Sequence, residues 1–499
     1  MIKNILLLIA VVSSLNSFSQ DFQWAGSEPY ASYVTWTSHI TNDNSGNTFI
    51  SSQHQNGVLI VKYNVAGAKV WEQNWLGYGN INSLGTDHSG NLYAGIMIAG
   101  LTINGTQYLE SNGGGYLLLK IDPNGNVIWI KQVHASMFVS DKTDSRDNIV
   151  VSGGYFGTVH FDANTTVSLP AGSSSSHYMA KFDVNGMCKW VITEDGPQWS
   201  AIKAANDYLY ACDYFYGHIT LGKGSKQVTL NESNGMGYIA KYDSVGELLW
   251  VKQGNYYDIA PDEKGNLYTF EGDMNGGYHS YLKKFNSEGD SLWTRTHLYY
   301  SDIYKFAMDY GNDGIFFTGS FRGKLILDDT TINQSGNYRL FAGKIDTEGK
   351  VRWITTTDGS GAVGAKDISV KGNDIYITGD ISGTSDFGSN ATTQTNGGIF
   401  LTKISDQNIT TVKATPLVAS TFDVFPNPSG SVFNVSYTGS LPEITIHIKN
   451  QLGQVVLSKK YSVQSELKES FDLRSQPKGI YFIELVSDKS REVRKMVLQ

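Results

Sequence analysis

Few residues of this chain are spaced for covalent chemistry. Its ten histidines are scattered, with no i, i+4 pair. There is no Gly-x-Ser-x-Gly elbow, no His-Glu-x-x-His, no phosphate-binding Gly-rich loop and no paired-cysteine metal pattern. The expectation is therefore no catalytic residue, no metal and no cofactor. Asp43-Asn-Ser-Gly-Asn47 and Asp122-Pro-Asn-Gly-Asn126 admit two readings, calcium loops or plain Asx turns. They lack the spaced carboxylates and distal Glu of a calcium loop, which favours turns. Cys188 and Cys212 are the only cysteines. They read either as one disulfide or as two small buried residues. The residues best suited to binding are aromatic: Trp75, Tyr78, Phe138, Trp199, Tyr256, Tyr257, Tyr299 and Tyr300. Gathered on one face, such rings stack on sugars or anchor a protein partner; the other reading is that they pack under neighbouring loops.

What must position them is a repeat. The chain has 499 residues, a formal charge of −8 and only 17% charged residues, with 53 Gly, 29 Tyr, 22 Phe and 10 Trp. This composition favours a β-rich globular protein with many turns and argues against disorder and against a nucleic-acid partner. Lysines stand at 62, 120, 181, 241, 284, 344 and 403, in steps of 58, 61, 60, 43, 60 and 59. Five residues after each of the first six comes Gly67, Gly125, Gly186, Gly246, Gly289 or Gly349, and nine residues after comes Trp71, Trp129, Trp190, Trp250, Trp293 or Trp353. Each copy reads as a β-hairpin: an apolar strand, an Asp or Asn turn closed by Gly, and a Trp-bearing strand. An upstream hairpin such as Asp262-Glu-Lys-Gly-Asn-Leu-Tyr268 brings the unit to four strands, the size of a propeller blade. The Trp is expected in inter-blade packing. The Lys is expected along a blade surface, its stem packed and its head in water.

The ends suggest closure. The seventh copy, Ile399-Phe-Leu-Thr-Lys-Ile-Ser405, loses the pattern, with Asn408 and Val412 where Gly and Trp would stand. Asp21-Phe-Gln-Trp24-Ala-Gly looks like a fourth strand with no blade of its own. The expectation is that the Trp24 strand completes the last blade. The aromatic residues named above then fall on connections from each Trp strand to the next blade, at one rim of the ring. Residues 1–20, with Lys3 and an apolar run from Ile5 to Val12, read as a signal peptide, and no later segment is long enough to span a membrane. The domains are thus a signal peptide at 1–20, a propeller of seven repeats at 21–405, a linker at 406–420 and a C-terminal domain at 421–499. The last alternates apolar and polar residues between short turns, as a small β-sandwich does.

In this last domain Pro426-Asn427-Pro428, the Gly453 turn, Pro477-Lys478-Gly479-Ile480-Tyr481 and the terminal run from Lys495 resemble the type A C-terminal sorting domain of the type IX secretion system. The resemblance implies an Ig-like fold, export through the secretion translocon, removal by a cell-surface sortase, and release or surface attachment; an ordinary Ig-like adhesion module is the other reading. Pro426, Asn427, Pro428, Gly479, Tyr481 and Lys495 carry the sorting motif in that likeness. The repeats resemble bacterial β-propeller repeats, a scaffold with no single activity. The expected fold is therefore all-β: a seven-bladed β-propeller followed by a small Ig-like β-sandwich. The expected function is a secreted or cell-surface, non-catalytic module binding an extracellular glycan or protein. The alternative is an extracellular propeller enzyme, a glycoside hydrolase or polysaccharide lyase.

Overall fold

The computed structural model describes residues 22–29, 39–54, 57–109, 115–169, 175–195, 201–272, 279–300, 303–311, 313–327, 330–388, 390–406, 421–438, 443–451, 454–462, 466–486 and 491–499. The expected signal peptide, Trp199 and most of the expected linker lie outside them. The described residues are built from β-strands, with one short 3-10 turn at Gly224–Lys226. No helix among them is long and apolar enough to cross a membrane. The chain divides into two units, Met1–Gln407 and Asn408–Gln499.

In the first unit the strand pairing resolves into successive antiparallel meanders of four strands, innermost to outermost. Meander 1 is Ile40–Asn42, Thr48–His54, Gly57–Tyr63 and the first half of Lys69–Thr86. The second half of that long strand is the innermost strand of meander 2, because Thr86 pairs with Leu92 and Ile81 with Ile96. Meanders 2 to 6 cover 79–133, 138–195, 201–253, 256–296 and 303–356. Meander 7 takes Ala362–Lys371, Asp374–Phe387 and Asn390–Ser405 from its own stretch, and its outer strand is Phe22–Pro29. Trp24 pairs with Lys403 and Ala25 with Thr402, so the first described strand completes the last sheet. A buried apolar core lies between each meander and the next. Between meander 7 and meander 1, Tyr376, Ile399 and Leu401 pack with Ile40, Ile50 and Val61. The first unit is a β-propeller with no free outer edge on its last sheet.

The repeated Lys, Gly and Trp form one device, and the Lys is not where its sequence placed it. Six of the seven lysines (62, 120, 181, 241, 344 and 403) are buried, none more than 9% exposed. Five of these ammoniums, those of Lys62, Lys120, Lys181, Lys241 and Lys344, reach the next meander: Lys62 Nζ donates to Pro123 O at 3.1 Å, Lys181 Nζ to Ser244 O at 2.7 Å and Lys241 Nζ to Ser287 O at 3.1 Å. The Trp indole of the same meander donates to the same oxygen: Trp71 to Pro123 O at 3.0 Å, Trp190 to Ser244 O at 3.3 Å and Trp250 to Ser287 O at 3.0 Å. Behind the ammonium stands the first Asp of the meander's own inner turn, as in Lys120–Asp87 at 3.1 Å and Lys181–Asp144 at 2.8 Å. A buried charge persists only when paired and hydrogen-bonded, and here both partners come from turns. The Gly is required twice over. Its φ is positive in all six turns, and a Cβ there would stand 2.8 to 3.3 Å from the Trp ring of the preceding meander. Trp24 lies on Gly67 in the same way, which carries the contact across the closure. In meander 7 the sequence lacks the Gly of this turn. There Asp406 substitutes a carboxylate for the carbonyl: Trp353 Nε1 donates to it at 2.8 Å and Lys344 Nζ pairs with it.

The second unit packs a three-stranded sheet (Thr421–Phe425, Val432–Thr438, Glu466–Asp472) on a four-stranded one (Val455–Ser462, Glu443–Asn450, Gly479–Val486, Arg491–Leu498). Phe433, Val435, Ile446, Ile448, Ile483 and Met496 fill the space between, alternating along their strands as a sandwich requires.

Candidate functional site

Three places in the propeller bring polar or aromatic groups together: the axis, the face carrying the hairpin connections, and the opposite face carrying the inner-strand turns. At the axis the innermost strands present Asp141, Lys203, Asp258, Asp309 and Asp367. The carboxylates are struts between neighbours. Asp141 accepts from Ala204 N at 3.2 Å, Asp258 from Met308 N at 2.8 Å, Asp309 from Val370 N at 2.8 Å and Asp367 from Ile40 N at 3.1 Å. Ser83 Oγ plays the same part for Val139 N at 2.6 Å. Lys203 Nζ crosses the axis to Met308 O at 2.6 Å. Burial opposes its charge, but Asp258, Asp309, Asp141 and Asp367 outweigh that and hold its pKa above the ordinary lysine value. Burial raises Asp309 to about 6 against the pull of Lys203, and raises Asp258 as well. This cluster was not legible in the sequence, because its members come from five different repeats at different offsets.

On the hairpin face the connections read as loops are partly strands. Gly77 and Tyr78 pair with Leu101 and Gly100, Tyr299 and Tyr300 with Ile326 and Leu325, and Asp358 with Asp386. In each case the outgoing chain runs along a hairpin extension of the next meander. The extensions share a pattern of Gly, then two buried apolar residues two apart: Leu101 and Ile103, Val159 and Phe161, Ile219 and Leu221, Leu325 and Leu327. This pattern was available in the sequence and is the signal that was missed.

The expected aromatic residues scatter in consequence. Trp75 is 4% exposed and packs in the core between meanders 1 and 2, which leaves no ring face for a ligand. Tyr78 is 69% exposed. Phe138 is half-buried beside Ser152. Tyr256 is half-buried, its ring 6.5 Å from Phe285 and its hydroxyl donating to Gln253 O at 3.4 Å. Tyr257, Tyr299 and Tyr300 are described as backbone only, within Tyr256–Pro261 and Ser291–Tyr300. Sequence reasoning missed three further rings on this face: Phe156, 70% exposed, and Tyr214 and Tyr216, 41% and 63% exposed and edge to face at 5.2 Å. The last two stand at the seam with meander 5, the copy with the 43-residue step. In meander 5 only residues 273–278 separate Leu267–Gly272 from His279–Phe285.

The Asp turns lie on the opposite face and their carboxylates are occupied. Asp43 Oδ1 accepts from Ser45 N and Asn47 N, both at 2.9 Å, and Oδ2 from Asn47 Nδ2 at 2.7 Å. Asp122 does the same with Asn124 and Asn126. Among the described residues no group of three or more His, Cys, Asp or Glu is placed to hold a metal ion. Cys188 and Cys212 are free thiols, and burial pushes the Cys188 thiol up to about 12.

In the second unit the motif residues converge on the last strand. Asn427 Nδ2 donates to Lys495 O at 2.6 Å and its Oδ1 accepts from Val497 N at 2.9 Å. Gly479 pairs with Leu498 and Tyr481 with Met496, and Tyr481 donates its hydroxyl to Pro477 O at 2.6 Å. Pro426, Asn427, Pro428 and Lys495 are exposed together at this end.

No curated protein matches the chain. Among solved structures it is similar to the Pyrococcus horikoshii acylaminoacyl peptidase (10% identity, 82% of this chain and 59% of that one, TM-score 0.41). It is also similar to virginiamycin B lyase from Staphylococcus aureus (10%, 76% and 98%, 0.39). A third is the β-propeller domain of the Trilobed protease from Pyrococcus furiosus (9%, 74% and 97%, 0.41). The chain thus spans less than two thirds of that peptidase's length. Residues 423–499 match the family described as the secretion system C-terminal sorting domain. The chain is a β-propeller carrying a type IX secretion sorting domain, which directs it to the cell surface or the extracellular space.

Proposed function

We propose that the propeller is a non-catalytic binding module, displayed or released outside the cell, whose hairpin face contacts an extracellular glycan or protein. The observation that carries this reading is the set of exposed rings Tyr78, Phe156, Tyr214 and Tyr216 on one face. Large amphipathic rings left in water stack on sugars or anchor partners at low entropic cost. The axial carboxylates support it too, because each is committed to a backbone N–H of a neighbouring strand. The ring is read as seven blades, from the seven meanders and the core between last and first. The tail is read as the segment the translocon holds and a surface sortase removes, since Asn427 and Lys495 are exposed and hydrogen-bonded together on the last strand, which Gly479 and Tyr481 pair with.

The test is a panel of extracellular polysaccharides and surface proteins presented to the full chain. Tyr216→Ala and Phe156→Ala should each weaken the wild-type interaction by about tenfold, the value of one good ring contact. Unchanged binding in both variants refutes the face. A second reading, an extracellular polysaccharide-cleaving enzyme, is favoured by Asp309, whose raised pKa suits an acid–base carboxyl. It requires turnover that Asp309→Asn abolishes.

A further inference from the structure

Among the described residues, four hairpin extensions have the outer edge of their first strand already filled. Gly77 lies against Leu101 in meander 2, Asp195 against Thr220 in meander 4, Tyr299 against Ile326 in meander 6 and Asp358 against Asp386 in meander 7. In each the occupant is an extended stretch of the chain leaving the preceding meander, and it runs antiparallel. Meander 3 differs. Its extension, Thr158–His160 against Thr166–Ser168, is a sheet of two strands that no third strand joins among the described residues.

The open edge has a local cause. The chain leaving meander 2 has only residues 134–137 between Val133 and Phe138, and it is fastened early. Ser136 N donates to Gly154 O at 2.9 Å, Gly154 N donates to Ser136 Oγ at 2.5 Å, and Tyr178 donates its hydroxyl to Ser136 O at 2.8 Å. Gly153 permits the approach, since a Cβ there would stand 1.9 Å from Ser136 O. The segment is thus tied to the strand Ile149–Tyr155, before Thr158–His160 begins.

The inner bonds fix which groups face outward. Leu169 N donates to Gly157 O at 3.0 Å and Phe161 N to Thr165 O at 2.9 Å. Gly157, Val159 and Phe161 therefore turn their main-chain groups toward the second strand, and Thr158 and His160 turn theirs away, because the direction alternates along an antiparallel strand. Thr158 and His160 are exposed, and Phe156, just before them, is 70% exposed. Residues 156–161 include no Pro, Lys, Arg, Asp or Glu, the residues that commonly guard an open edge. Alternating N–H donors and C=O acceptors along a line match an extended polypeptide backbone, which is what fills the four sister edges. We infer that the outer edge of Thr158–His160 is a docking site for an extended peptide segment of a partner protein, which adds as an antiparallel strand with Phe156 as an apolar anchor at its end. This rests on the reading of the hairpin face as a binding face and narrows its partner to a protein.

The probe is a labelled synthetic peptide with the sequence of Ser291–Tyr300, the segment that fills the corresponding edge in meander 6, titrated into the full chain by fluorescence anisotropy. Saturable binding is expected. His160→Pro removes an outward N–H and no bond to the second strand, and should weaken binding by about tenfold; His160→Ala should bind as the wild type does. Two further peptides carry N-methyl groups on alternate amides, one at odd and one at even positions. Only one of them should lose binding, a result that needs no protein variant. Tyr216→Ala should leave peptide binding unchanged, so the ring contacts and the edge fail separately. The inference is overturned if the peptide does not bind, if the two methylated peptides bind alike, or if folded His160→Pro binds as the wild type does. It is also overturned if sedimentation shows a dimer that His160→Pro dissociates, which would assign the edge to a second copy of the chain.

Discussion

Asp406 is where the repeat ends and its last inter-meander contact is made, so Asp406→Ala tests the whole arrangement. The carboxylate is buried and takes both Lys344 Nζ and Trp353 Nε1. Removing it strips a buried ammonium of one partner and leaves an indole N–H unpaired. Breaking a buried pair from one side costs about 3–5 kcal/mol, and an orphaned buried donor about 1–3 kcal/mol. Lys344 keeps Asp313 at 2.5 Å, whose side chain is 52% exposed, and this offsets part of the loss. The net expectation is about 3 kcal/mol for Asp406→Ala. Asp406→Asn preserves an acceptor for Trp353 and should lose about half as much. The assay is guanidinium unfolding of the full chain followed by tryptophan fluorescence. All 10 tryptophans precede residue 354, so the signal reports the propeller and not the sorting domain. A loss under about 1 kcal/mol in Asp406→Ala would refute the idea that this carboxylate replaces the missing turn.

Two further outcomes are expected. Gly289→Ala places a methyl 2.8 Å from the Trp250 ring at a φ of 83°, and should cost about 2 kcal/mol or more; Gly105→Ala, also at positive φ but with nothing within 4 Å, should cost only the backbone strain, and equal losses in the two would dismiss the ring contact. Glu194 is buried against Tyr242 at 2.5 Å, and burial raises its pKa to about 7. Because the folded pKa lies above the unfolded one, stability is full below about pH 4.5 and falls by up to about 3 kcal/mol as pH rises through 7. Burial lowers His177 to about 4, so its contribution is lost in the other direction, as pH falls from about 6.5 through 4. Glu194→Gln should therefore raise the melting temperature at pH 8 more than at pH 5, and an equal shift at both would sink the assignment.

Local chemistry carries local information. Period-two alternation, Asp and Gly turns and the constant Lys, Gly and Trp offsets determined the hairpins, the repeat and the small C-terminal sandwich, since each depends on residues within a few positions. The lost turn at the seventh copy and the unpaired strand at Trp24 determined the closure, because a sheet edge must be satisfied somewhere. The tail motif was equally legible, as its pieces pack on one terminal strand. Tertiary structure alone decided what the repeated residues touch. The lysines are buried because their acceptors lie in the next meander, some 60 residues away for Lys62 and Pro123, and no single repeat displays that partner. The same holds for Gly289 under Trp250 and for Asp406 in place of a turn. Trp75 went to a core rather than to a rim because the chain beyond it runs as a strand along the next hairpin extension. The five-residue turn at Asp144–Asn148 and the two-residue turn at Asn206 and Asp207 became neighbours, and that adjacency is a property of the ring, which no stretch of sequence contains.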